Sequence, residues 1–129
     1  MAHGSSNKKQ LVAQCNRKVR ARSAKLRVLA EFPFGESGQT VTRYALGNGL
    51  TILLLVDQKA PVLSFHTWYR VGSKHEKPGK TGLAHLFEHL MFNETKHVPR
   101  GQLDRLIESA GGETNASTWV DWTHYQSEL

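Results

Sequence analysis

Two histidines and a glutamate fall within five residues at His85-Leu86-Phe87-Glu88-His89. Histidines four apart lie one above the other on a helix, so His85 and His89 can each present a ring nitrogen to one point. Glu88, three residues after His85, projects toward the same side. Two imidazoles that can each approach an ion to about 2 Å are what zinc needs. The adjacent carboxylate is placed to take a proton from a water that the metal has acidified to a pKa of about 7. The alternative is a pair of core histidines hydrogen-bonded to Glu88.

The surrounding stretch, Thr81 to Asn93, reads as one short helix. Leu83, Ala84, Leu86, Phe87, Leu90, Met91 and Phe92 cover almost its whole circumference, which predicts a buried helix. Burying two imidazoles and a carboxylate there is costly unless something compensates, and a metal ion does so.

Other elements must position that helix. Thr40 to Leu46 reads as a first strand and Gly47-Asn48-Gly49 as a tight hairpin turn. Leu50 to Val56 is a second strand, apolar almost throughout and so expected to be central. Val62 to Val71 alternates as a third strand, with Trp68 on a mixed second face. Gly72 to Lys80 is a charged loop. Gly101 to Ala110 is a second helix stopped by Gly111-Gly112. Glu113 to Val120 and Trp122 to Glu128 are two further strands. The order predicts an α+β fold, with helices packed on one face of a mainly antiparallel sheet.

The 129 residues allow one small domain or part of a larger one. The net charge of +6 is unevenly spread: residues 1–30 carry +8 and residues 31–129 carry −2. The basic character belongs to a tail, so the domain is not read as a nucleic-acid binder. Met1 to Gln10 is polar and expected to be disordered. Leu11 to Leu29 reads as a basic amphipathic helix. It has three readings: an organelle transit segment, a surface that meets acidic partners or membranes, or a solvated extension. Glu31 to Gln39 reads as a linker. The chain therefore divides into an extension at 1–38 and a domain at 39–129. No apolar run approaches the 18 residues of a membrane span. The single cysteine, Cys15, excludes an intrachain disulfide framework and is compatible with a reducing, cytoplasmic setting, with mitochondrial transit as the alternative for residues 1–30.

The spacing H-x-x-E-H is the inverted form of the zinc-peptidase pattern H-E-x-x-H. From about Gln39 onward the chain resembles the start of the pitrilysin/insulinase family of zinc metallopeptidases. Tyr44-Ala45-Leu46-Gly47-Asn48-Gly49-Leu50 is similar to that family's opening hairpin, and Val71-Gly72-Ser73 to the end of its third strand. The stretch from Gly82 to Phe92 is similar to its metal helix almost letter for letter. Gly111-Gly112-Glu113-Thr114-Asn115-Ala116-Ser117-Thr118, followed by Asp121, Thr123 and Tyr125, is similar to its later strand pair.

The resemblance implies an incomplete pitrilysin-like N-terminal domain and a zinc endopeptidase. His85 and His89 would bind Zn2+, and Glu88 would be the general base. Asn115, Ala116 and Ser117 would lie on an edge strand that accepts a peptide or protein substrate as an added strand. Asp121, Thr123 and Tyr125 would be structural, and packing is expected for Trp119 and Trp122, with a substrate-facing role as the alternative. His66, His75, His97 and His124 have no spacing that argues for metal. The family's third ligand is a glutamate on a later helix, beyond Leu129. A catalytic zinc normally has three protein ligands, so the chain reads as a truncated N-terminal portion. The alternative is a non-catalytic peptide-binding half-domain or subunit that needs a partner chain for the missing half. A third reading is S-ribosylhomocysteine lyase, which shares H-x-x-E-H but uses a cysteine ligand; Cys15 lies upstream of the first expected strand and suits it poorly.

Overall fold

A computed structural model describes residues 3–17 and 19–129, which group into two compact units, 1–60 and 61–129. In the first unit, helix α1 (His3–Arg17) precedes strands β1 (Leu26–Pro33), β2 (Thr40–Leu46) and β3 (Thr51–Leu55). The three strands form an antiparallel sheet in the order β1-β2-β3, with a register shift between Val28 and Ala30. The hairpin read at Gly47-Asn48-Gly49 is present. The Leu46 N–H donates to the Leu50 carbonyl at 2.9 Å, and the Asn48 side chain accepts from the Leu50 N–H at 3.0 Å.

Three expectations for this unit are corrected. Of the stretch expected to be disordered, residues 3–10 belong to α1, and Met1 and Ala2 lie outside the described residues. The helix read over Leu11 to Leu29, which includes the undescribed Lys18, ends at Arg17. The physical reason is Asn16: its amide nitrogen donates to the Leu26 carbonyl at 2.8 Å, and its amide oxygen accepts from the Leu26 N–H at 2.7 Å. A side chain that satisfies both backbone groups of one later residue ties the helix end to the first strand. Strand β1 then runs through Pro33, so only Phe34 to Gln39 remains as a turn. Finally, β3 is an edge strand and not the central one. Its five residues are all exposed, and Val41, Thr42, Tyr44 and Ala45 of β2 are the buried ones. A continuous apolar run reports hydrophobicity, not position within a sheet.

The second unit contains β4 (Ser64–Tyr69), helix α2 (Leu83–Leu90), helix α3 (Gln102–Ser109), β5 (Glu113–Thr118) and β6 (Thr123–Glu128). The sheet order is β4-β6-β5, again antiparallel. Strand β6 is central, with Trp68 opposite His124 on one side and Thr118 opposite Thr123 on the other. Helices α2 and α3 both pack against β5. The α+β class and the antiparallel pairing agree with the sequence reading. No described helix is long and apolar enough to cross a membrane.

The burial expected of the motif helix is corrected. In α2 only Ala84 and Glu88 are buried, whereas Phe87 is 63% exposed and Leu86 is 50% exposed. The side carrying Ala84 and Glu88 meets β5.

Candidate metal centre

Helix α2 is set up before it starts. Gly82 has φ +90°, a backbone conformation that glycine adopts without the penalty of a Cβ. The Glu76 carboxylate then accepts from the N–H groups of Gly82 and Ala84, each at 2.8 Å. These are donors that a helix N-terminus leaves without intrahelical partners. The Ala84 N–H first, and then that of Gly82, hold the Glu76 carboxyl below its ordinary pKa, against a smaller opposing effect of burial.

One turn into the helix, His85 Nε2 and His89 Nε2 are 3.0 Å apart, with ring centroids at 4.5 Å. Both rings are exposed, so the burial argument for a metal does not apply to them. At 3.0 Å the two nitrogens are within hydrogen-bond distance of each other, and the spacing is also compatible with a shared ion. Two nitrogens bound tetrahedrally at about 2.0–2.1 Å would stand roughly 3.3 Å apart, close to the spacing present. Among the described residues no third His, Cys, Asp or Glu joins the pair. Cys15 is exposed on α1, in the first unit.

Glu88 is the buried member of the motif, at 8% exposure. Its Oε2 accepts a short hydrogen bond from the Thr118 hydroxyl on β5. The Thr123 hydroxyl stands 3.4 Å from that of Thr118 and donates to the Val71 carbonyl at 2.9 Å. A line of hydroxyls thus runs from β4's end through β6 and β5 to the carboxylate. Burial chiefly, and then the Glu88 charge and Tyr69, raise the Tyr125 hydroxyl's pKa.

Beside these groups lies an open cleft of about 530 Å³, lined by His85, Glu88, Ala116, Ser117, Thr118 and Trp119 among others. The structure therefore brings His85, Glu88, Ala116 and Ser117 around one space. Asn115 does not line it. Its Oδ1 instead accepts from the Ala116 N–H at 2.8 Å, occupying a backbone donor of the outermost strand. Asp121 makes a surface ion pair with Lys74 at 3.4 Å, and Thr123 and Tyr125 are packed within the sheet. Sequence reasoning gave no role to Thr118 or Glu76. Glu76 had a signal, an acidic residue just ahead of a helix start. Thr118 had none, because its partner lies thirty residues upstream.

An edge strand beside a helix that carries two convergent imidazoles and a held carboxylate defines the class: an α+β domain with an H-x-x-E-H helix. A sequence model of the insulinase family (peptidase family M16) matches residues 51–129, and the chain belongs to that family. It is 41% identical over 81 residues to the zinc protease PqqE of Helicobacter pylori, covering 62% of this chain and 18% of that protein. It is 35% identical over 89 residues to the mitochondrial-processing peptidase subunit beta of Blastocladiella emersonii, covering 69% of this chain and 19% of that protein. The crystal structure of pitrilysin superposes with a TM-score of 0.71 at 28% identity, covering 81% of this chain and 11% of that one. The chain thus spans about a fifth or less of the length of these relatives.

Proposed function

We propose that this chain carries the metal-binding and peptide-docking part of a zinc-dependent endopeptidase site. His85 and His89 would hold Zn2+, and Glu88 would be the general base. An extended peptide adds to the free edge of β5 near Asn115, Ala116 and Ser117. The observation that carries this reading is the pair of Nε2 atoms at 3.0 Å on the helix that also lines the cleft beside β5.

When bound, zinc supplies Lewis acidity, which acidifies water and polarises a carbonyl. The protein's own groups do the rest. Thr118 holds one Glu88 oxygen, which orients the carboxylate and leaves the other oxygen to accept a proton. The peptide must compete with Asn115 for the Ala116 N–H, so docking there exchanges one hydrogen bond for another. Trp119, exposed at the cleft wall, offers apolar area to a substrate side chain.

The absence of a third ligand among the described residues favours a second reading as well: a non-catalytic half-site that needs a partner chain to supply the remainder. Zinc stoichiometry after dialysis at neutral pH, with His85→Ala as control, tests the metal assignment. Zinc lost in the control supports it, and equal zinc in both proteins overturns it. Cleavage of an extended peptide that a chelator abolishes supports the enzyme. Peptide binding without cleavage supports the half-site.

A further inference from the structure

The face of the β4-β6-β5 sheet opposite Thr118 and Thr123 brings two further histidines together. His124 alternates away from Thr123 on β6, and His66 sits diagonally across from it on β4. His66 Nδ1 and His124 Nε2 are 2.9 Å apart. The rings are within 12° of parallel and their centroids are 5.1 Å apart, so the two nitrogens meet almost head-on. Such a contact needs one proton between the nitrogens, because a neutral imidazole has one donor and one acceptor. An imidazolium has two donors, so protonating both rings leaves two N–H groups facing each other. We propose that the His66–His124 contact is a pH-sensitive clasp between β4 and β6, closed at neutral pH and forced open in mild acid when both rings are protonated.

The surroundings separate the two protonations. His66 is exposed, and its Nε2 lies 2.9 Å from the Ser64 hydroxyl. A hydroxyl can turn from donor to acceptor, so a proton on His66 leaves the contact closed, with Nδ1–H donating to His124. The next proton must go to His124, which is buried and stacked against Trp68 at a centroid distance of 3.9 Å and 17° between planes. Burial first, and the charge on His66 second, hold the His124 pKa below its usual value. The unfolded chain therefore binds more protons at this residue than the folded chain does. The closed clasp contributes its full stability above the ordinary histidine pKa of about 6.5 and loses it as pH falls through the folded value of His124. The charged groups of this face sit toward its ends. Glu113 and Glu128 oppose each other one same-facing row beyond His66 and two beyond His124, and Arg70 follows the end of β4. The Lys74–Asp121 ion pair lies at the turn ahead of β6. Asn115 and Ser117, the β5 residues level with the two histidines, carry no charge. Tyr69, Tyr125 and Glu88 belong to the opposite face.

The full chain is titrated from pH 8 to pH 4.5 while tryptophan emission and the His124 ring-proton resonances are followed, the latter assigned by their loss in His124→Gln. An imidazolium quenches a stacked indole more than a neutral imidazole does. Emission should therefore fall as His124 takes its proton, and Trp68→Phe should remove most of that change. The far-UV spectrum should stay constant over the same range, because the clasp opens without unfolding the sheet. His66→Gln, an exposed change, removes the facing cation and should raise the His124 midpoint by about one pH unit, the scale of coupling between titrating groups in contact. It should also flatten the fall in melting temperature between pH 7 and pH 5. A His124 midpoint that is the same with and without His66, or an emission change that coincides with loss of the far-UV signal, would overturn the proposal.

Discussion

The Thr118 hydroxyl donates to the Glu88 carboxylate, joining the last residue of β5 to the buried face of α2. Glu88 is 8% exposed where it lines the cleft, and this bond holds one of its carboxylate oxygens. Thr118→Val keeps the shape and removes the donor. It should destabilise the second unit by about 1–3 kcal/mol, the range for a buried polar group left unsatisfied. Thr118→Ser should restore most of the loss. Urea denaturation of the three proteins measures it, and an unchanged midpoint for the valine form would rule out a structural role for the bond.

Glu76 predicts a pH dependence. Its folded pKa lies below the ordinary carboxylate value because the ionised form accepts the N–H groups of Ala84 and Gly82. A depressed carboxylate binds fewer protons folded than unfolded, so its contribution is present above about pH 4.3 and is lost as pH falls through the folded value. Glu76→Gln should therefore lower the melting temperature at pH 7, and the difference should shrink under acid. A difference that is constant from pH 7 to pH 3 would mean that the charge on Glu76 does not act through these bonds.

What the sequence made legible was local. The Asn48 hairpin, the helix ended by Gly111, and the five-residue motif each depend on neighbours a few positions away, and each stands where the pattern put it. What it concealed depends on residues that are distant in sequence. Asn16 ends α1 by bonding to Leu26, and β3 is apolar yet lies on an edge. His66 and His124 meet across 58 positions, so no spacing rule could pair them. The Thr118 bond to Glu88 is hidden for the same reason. Composition also overstated the burial of α2, because an all-round apolar helix announces a need for cover without saying what covers it.

That overstatement gives a prediction with a clear margin. If Phe87 were a core residue, Phe87→Ala would cost about 3–5 kcal/mol. At 63% exposure it should instead stay within about 0.5 kcal/mol, as surface changes do. Chemical denaturation separates values this far apart in one experiment, and a loss above 2 kcal/mol would show that α2 is covered in solution.

Gly72 carries the last prediction. Its φ of −156° is extended backbone open to any residue, so conformation does not demand glycine there. Space does. A Cβ at this position would collide with the Trp119 carbonyl oxygen and lie 2.7 Å from the Asp121 nitrogen and the Val120 carbonyl carbon. All three are backbone atoms of the turn between β5 and β6, held in place by bonds from Ser73 and Lys74 to the carbonyls of Trp119 and Val120. Backbone cannot step aside as a flexible side chain can, so Gly72→Ala should cost about 3 kcal/mol, the upper part of the overpacking range. The same displacement would move Thr118 away from Glu88, so the alanine form should also blunt the further effect of Thr118→Val. A double-mutant cycle by urea denaturation measures both the cost and the coupling. Strict additivity would mean that the turn shifts without disturbing the bond to the carboxylate.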